Sequence, residues 1–294
     1  MEYTISTNNA RVTVSSRGGE LKSFVNRDNN REYMWQGHAP YWNGTSPNLF
    51  PIVGRVKEGI YAYHGQKYAI KSPHGFVRIT ELTLREHTEN TLVFGLHDNE
   101  ETRKAYPFAF DYSVRFVLEG KKLTVTQTVI NPAENETLIF ALGAHPGFNV
   151  PMNENVPFEN YYLEFENACK PEEIVCEAAY LTGKTVPCNR FKDGKVLPLR
   201  HDLFDNDAII LKDTCRTLLI KCDEAPEQVR VCFDDFRYVG IWHTNETTAP
   251  FVCIEPWNGV PSLADAEENL ETKYEMMRLK PHEEYHASYS IEIQ

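Results

Sequence analysis

The stretch Phe110-Asp-Tyr-Ser-Val-Arg-Phe-Val-Leu118, then Glu119-Gly-Lys-Lys122, then Leu123-Thr-Val-Thr-Gln-Thr-Val129, decides the fold. Phe110, Tyr112, Val114, Phe116 and Leu118 share one parity, and Asp111, Ser113, Arg115 and Glu119 hold most of the other. After the glycine turn the alternation resumes, with Leu123, Val125 and Val129 set against Thr124, Thr126 and Thr128. A period of two places successive side chains on opposite faces, so the segment reads as an antiparallel hairpin with one dry and one wet face. Similar runs surround it: 59–63 with 67–70, 81–85 with 91–96, and then 137–142, 161–165, 208–211, 217–221, 228–233, 238–243, 251–255 and 288–293. Helical pattern is confined to Asn99–Tyr106, ended by Pro107, and to Ala264–Leu270. Evenly spaced strands with few helices predict an all-β protein, a large antiparallel sandwich or barrel. No compositional break or fixed-period repeat divides residues 1–294, which are read as one unit.

Composition narrows the function. The 294 residues carry 30 Lys and Arg against 42 Asp and Glu, a formal charge of −12. Such a chain repels nucleic acid and anionic membrane on average, so neither is expected as a partner. The first sixteen residues are polar and alternating, without a basic start and apolar core. The longest apolar stretch, 138–150, contains His145, Pro146 and Asn149 and falls short of the ~20 residues of a membrane span. Seven cysteines form no Cys-x-x-Cys pair, so reduced thiols and a cytoplasmic setting are expected.

Four segments place polar residues beside glycine or proline within apolar strand context: 48–55 (Asn-Leu-Phe-Pro-Ile-Val-Gly-Arg), 72–78 (Ser-Pro-His-Gly-Phe-Val-Arg), 143–149 (Gly-Ala-His-Pro-Gly-Phe-Asn) and 253–259 (Cys-Ile-Glu-Pro-Trp-Asn-Gly). Proline holds its neighbour extended and glycine admits close approach, so a side chain there is set before a substrate arrives. His145 follows an apolar strand and is read as an acid–base group at a strand end or as a core histidine bound to a carbonyl; His74 has the same two readings. Glu255 continues the strand Phe251-Val-Cys-Ile. Either desolvation raises it towards a general base, or an arginine pairs with it. Trp257 beside an acid suits a sugar, whose C–H face wants an aromatic ring and whose hydroxyls want a carboxylate. Arg55 and Arg78 bind either a ligand or an acidic neighbour, and Asp207 alone reads as a turn residue.

Other chemistries recede. His282-Glu-Glu-Tyr-His286 spells a zinc-protease pattern, but that pattern works on a helix, and here Pro281 precedes it and an alternating run follows. Asp202, Asp205 and Asp207 lack calcium-loop spacing. No nucleotide loop or serine elbow occurs, and Cys253 reads as a buried strand cysteine rather than a nucleophile. No metal or cofactor is expected.

With those segments in hand, the chain resembles the aldose 1-epimerase (galactose mutarotase-like) family, in the bacterial branch that includes hexose-6-phosphate mutarotases. The likeness runs from Arg11-Val-Thr-Val14 and Gly18-Gly-Glu-Leu-Lys-Ser23 through the four segments to Leu279-Lys-Pro-His-Glu-Glu-Tyr285 and Ser288-Tyr-Ser-Ile291. It implies a β-supersandwich of two large antiparallel sheets with a groove across one of them. Carried over by residue, Glu255 matches the general base and His145 the general acid, while His74, Arg55 and Asp207 match groups that hold sugar hydroxyls. Arg78 belongs to the His-Gly-Phe-x-Arg run, and Pro256-Trp257 fits this branch. The implied reaction interconverts the α and β anomers of an aldohexose by acid–base ring opening and closure, with the two groups on opposite sides of one ring. A hexose-6-phosphate substrate requires a basic cluster, for which Arg55, Lys57 and Arg78 are candidates. Two readings of other kinds stand beside it: a glycoside hydrolase built on Glu255 and Asp207, and a carbohydrate-binding protein without catalysis.

Overall fold

The computed structural model describes residues 1–294, and the expected antiparallel sandwich is what it shows. The opening hairpin is Asp111–Glu119 paired with Lys122–Ile130, in unbroken register from Asp111 opposite Ile130 to Glu119 opposite Lys122. Tyr112, Val114, Phe116, Leu118, Leu123, Val125 and Val129 are all buried, as the alternation requires.

Around this hairpin grows a nine-stranded sheet. From one edge its strands are Val196–Pro198, Tyr162–Phe165, Thr217–Lys221, Val229–Cys232, Glu284–Ile293, Lys122–Ile130, Asp111–Glu119, Thr91–His97 and Thr83–His87. The second large sheet runs Tyr180–Pro187, Glu172–Glu177, Ile209–Lys212, Tyr238–Trp242, Phe251–Asn258, Leu142–Ala144 and Asn48–Leu49, with Gly147–Asn149 also pairing Phe251–Asn258. The strands Glu2–Ser6, Ala10–Ser15, Glu20–Asn26 and Arg31–Glu32 form a separate four-stranded sheet. A 67-residue apolar cluster fills the space between the large sheets, taking Val125 and Val129 from one and Leu142, Val252 and Ile254 from the other.

Inside that core sits one polar bridge. Gln127, fully buried on the hairpin, donates through Nε2 to Asn48 Oδ1 (2.9 Å) and to the Gly143 carbonyl (2.8 Å). Asn48 in turn donates to the carbonyls of Gly18 and Gly19. Both protons of the buried Gln127 amide nitrogen are paired, though its Oε1 has no partner, and the two acceptors fix where two strands of the second sheet lie.

The structure differs from the sequence reading at two places. Residues 264–270 form turns rather than a helix, held by the Ala62–Asn269 bridge and the Leu270 N–H to Ala62 carbonyl bond. The run 137–142 is not one strand: Leu138–Phe140 pairs Met277–Leu279, and after Ala141 the chain enters the second large sheet. Both departures rest on long-range backbone pairing, which local periodicity does not report. The expected helix at 99–106 is present as Glu100–Ala105, capped by the Asn99 side chain accepting from the Glu101 and Thr102 amides. His282 and His286 occupy a turn and the strand Glu284–Ile293, not one helix face; His282 meets Glu134 and His286 meets Thr128. No helix is long and apolar enough to cross a membrane. All seven cysteines are free.

Candidate active site

The strand Phe251–Asn258 is buried on both faces. Val252 and Ile254 point into the core between the sheets, while Phe251, Cys253, Glu255 and Trp257 point the other way. On that outer face its neighbours are glycines: Gly240 lies opposite Glu255, and Gly143 lies opposite Trp257. A Cβ on Gly143 would come within 2.8 Å of the Trp257 ring, and one on Gly240 within 2.9 Å. The indole therefore lies across the sheet over two positions that have no side chain, forming a flat apolar floor.

His145 follows directly on Leu142–Ala144, with Gly143 and His145 on the outer parity. Its amide donates to Pro47 and the next carbonyl, that of Pro146, accepts from Ile254, so the loop is pinned at both ends. Trp42 stacks on the imidazole at 4.7 Å and Trp242 meets it edge-on at 5.4 Å. Opposite stands Pro73-His74-Gly75. His74 and Gly75 both have positive φ (63° and 80°), and a Cβ on Gly75 would collide with the Phe50 carbonyl. This turn aims His74 inward, where its Nδ1 accepts from the Gly54 amide at 3.2 Å. The remaining nitrogen, Nε2, then carries the proton, as a donor.

These elements enclose a cavity of about 420 Å³ whose lining includes Arg55, His74, Arg78, His145, Asp207, Glu255 and Trp257. All seven residues singled out in the sequence thus meet at one place. Lys57 does not; its Nζ donates to the Ala266 carbonyl instead, and the expected three-residue basic cluster reduces to two arginines. Sequence reasoning missed Tyr41, Trp42, Trp242, Thr244 and Cys176, which also line the cavity. Tyr41-Trp42 follows Pro40 in an aromatic, proline-bearing loop, a signal of the same kind as the four segments. Thr244 and Cys176 carry no local signal.

The electrostatics follow from burial. Glu255 is 1 % exposed, and desolvation, with the Asp207 carboxylate beside it, pushes its carboxyl well above the ordinary range. Desolvation, reinforced by His74 and Arg78, holds His145 well below the usual imidazole value. Burial and the cations of Arg78 and Arg55 drive His74 down to about 3. His145 Nε2 lies 3.2 Å from Glu255 Oε2, but off the donor line, so no aligned hydrogen bond forms. The Trp257 indole nitrogen is near enough to ease the Glu255 charge slightly, also without a regular hydrogen bond. His145 Nδ1, Glu255 Oε2 and Trp257 Nε1 are accordingly buried and unpartnered, three polar atoms gathered at one cavity. Structures rarely leave such groups unpaired without a use for them.

The expectation that Glu255 and His145 flank opposite sides of a ring is not met; they stand side by side.

Comparison with known proteins bears on the chain as a whole. The family model described as aldose 1-epimerase matches residues 1–292. The plasmid-encoded protein LacX of Lactococcus lactis subsp. lactis is 33% identical over 300 residues, covering 99% of this chain and 99% of its own. A crystallised galactose mutarotase related enzyme from Lactobacillus acidophilus is 35% identical, covering 100% of this chain and 97% of its own, with a TM-score of 0.95. A galactose mutarotase-like protein from Lactobacillus casei ATCC 334 shares 29% identity and a TM-score of 0.93, covering all of both chains.

Proposed function

The chain belongs to the aldose 1-epimerase family, and from that premise we propose that it interconverts the α and β anomers of an aldohexose. The observation that carries the reading is the Glu255–His145 pair, buried, adjacent and shifted in opposite directions over an indole floor. Glu255 takes the proton of the C1 hydroxyl while His145 protonates the ring oxygen, and the ring opens. Rotation about C1–C2 presents the other carbonyl face, and the reverse transfers close it. Opening begins with the proton on His145; closing begins with it on Glu255. Burial favours the second arrangement in the empty cleft; the carbonyl-forming step produces it, and ring closure restores the first while sugar oxygens bridge the pair. One proton on two adjacent groups serves both halves of the cycle, each group contributing ~10²–10⁴-fold. His74 Nε2, Arg55 and Asp207 are placed to hold hydroxyls, and Trp257 the apolar face of the sugar.

The two arginines favour a phosphorylated sugar as a second reading. Neither Arg55 nor Arg78 forms an ion pair, in a chain with 42 acidic residues; Arg78 has only a 3.4 Å contact to the Pro73 carbonyl. Planar guanidinium groups left free at a cavity suit bidentate pairing with two oxygens of a phosphate.

The test is an NMR exchange or polarimetric screen of free hexoses against their 6-phosphates. Catalysed exchange supports the reading, and a preference for the phosphates that is lost in Arg78→Gln supports the second one. Saturable sugar binding without exchange would leave a binding protein; release of reducing sugar from an aryl glycoside would leave a hydrolase.

A further inference from the structure

Cys253 precedes Glu255 by two residues on the outer face of its strand, and it is completely buried. Its Sγ, one imidazole nitrogen of His145 and a carboxylate oxygen of Glu255 lie within 4.8 Å of one another. His145 is 7 % exposed and Glu255 1 % exposed, and each keeps a buried polar atom without a partner. From this geometry we infer that the cleft is a zinc site, formed by His145, Cys253 and Glu255, in which the metal blocks the acid–base pair.

The donor set argues for zinc in particular. Nitrogen, sulfur and oxygen are its three common ligand atoms, and a thiolate selects against calcium and magnesium. Around a tetrahedral zinc with bonds of about 2.0–2.3 Å, donors stand about 3.3–3.8 Å apart. The present spacing needs a contraction of about 1 Å at most. His145 and Glu255 line the cavity while Cys253 lies buried behind them, so the metal would be reached from the cavity side. Charge closes as well: one dication, one thiolate, one carboxylate and a neutral imidazole sum to zero, the condition a buried site needs. Binding releases the Cys253 thiol proton and the proton that Glu255 holds. The second shell is incomplete, because His145 Nδ1 has no acceptor, which sets the affinity below that of a structural zinc site. The sequence motif that spells a zinc ligand set, 282–286, is not this site; the ligands here come from the strand Phe251–Asn258 and from the loop after Leu142–Ala144.

Inhibition rests on the mutarotase reading, whereas metal binding does not, and the experiment separates the two. Cobalt(II), titrated into the purified full-length chain, is expected to give one equivalent of a near-ultraviolet sulfur-to-metal charge-transfer band. Cys253→Ser and Cys253→Ala are expected to abolish the band while retaining the circular dichroism of the parent. In the anomer-exchange assay zinc is expected to inhibit, and Cys253→Ser to keep activity within about threefold while raising the inhibitory zinc concentration at least about tenfold. A missing band, a band that survives Cys253→Ser, or one abolished by His282→Ala with His286→Ala overturns the inference. If exchange is absent in the parent chain, the mutarotase reading fails, and the charge-transfer band alone decides the metal site.

Discussion

At Glu255 function and stability pull in opposite directions. Its carboxyl is held far above the value of 4.5 that it has in the unfolded chain, chiefly by desolvation. A carboxyl raised in the folded state contributes stability that is full below about pH 4.5 and lost as pH rises through the raised value. Glu255→Gln keeps the shape and removes the titration. The variant is therefore expected to melt higher than the parent, by a margin that widens between about pH 5 and pH 8, while anomer exchange falls by at least about a hundredfold. Melting curves and polarimetry check the two halves; a margin independent of pH would show that Glu255 is not held protonated. His145→Asn is expected to lower exchange similarly, and near-parental rates in both variants would remove the pair from the mechanism. His74 titrates the other way: lowered from 6.5 to about 3, it costs stability as pH falls through that window. His74→Asn, tolerant of the positive φ, should flatten the fall in melting temperature between about pH 6 and pH 4. Six of the seven cavity residues were legible because they lie in segments that carry proline or glycine in a strand context; Asp207, which alone reads as a turn residue, came only with the family resemblance. Their pKa directions were half legible: desolvation of Glu255 follows from its apolar strand, but the cations that reinforce the lowering of His74 come from Arg55 and Arg78, nineteen and four residues away in sequence.

Among the elements, the strand Phe251–Asn258 organises the site, and its neighbours matter through what they lack. Gly240 and Gly143 let the Trp257 indole lie flat against the sheet. Neither glycine has positive φ, so backbone freedom does not explain them; space does. Gly240→Ala is expected to push Trp257 out of plane, destabilising by about 1–3 kcal/mol and weakening sugar binding more than turnover. A rise in KM with kcat little changed, alongside a shift in tryptophan fluorescence, is the expected signature. The strand was legible as an apolar run with one acid, but Gly143 lies on a strand more than a hundred residues away, and only the register puts Gly240, on the preceding strand, under the indole. The failed helix at 264–270 makes the same point, since the Ala62–Asn269 bridge that replaces it spans two hundred residues.

Across the whole molecule, one aromatic hub ties core to cleft. Phe50 is fully buried, and its ring meets those of Phe76, Tyr106, Phe110, Tyr112 and Phe140 at 5.1–6.2 Å. Phe50→Ala is expected to cost about 3–5 kcal/mol, read as a lower urea midpoint at unchanged slope. Because the Phe50 carbonyl also abuts Gly75, the turn that aims His74 depends on the same residue. The net charge of −12 bears on none of this, since the cleft gathers two unpaired arginines whatever the total. The sequence by itself determined the antiparallel class and six of the seven residues that meet at the cavity, because alternation and proline–glycine punctuation act over a few residues; the family and Asp207 came with the resemblance carried by the ordered motifs. Only the tertiary structure decided that Glu255 and His145 stand side by side, that Lys57 points away, and that Cys253 completes a triad with them. Those facts depend on which strands pair and on burial from all sides, and both are set by contacts between residues a hundred or more positions apart.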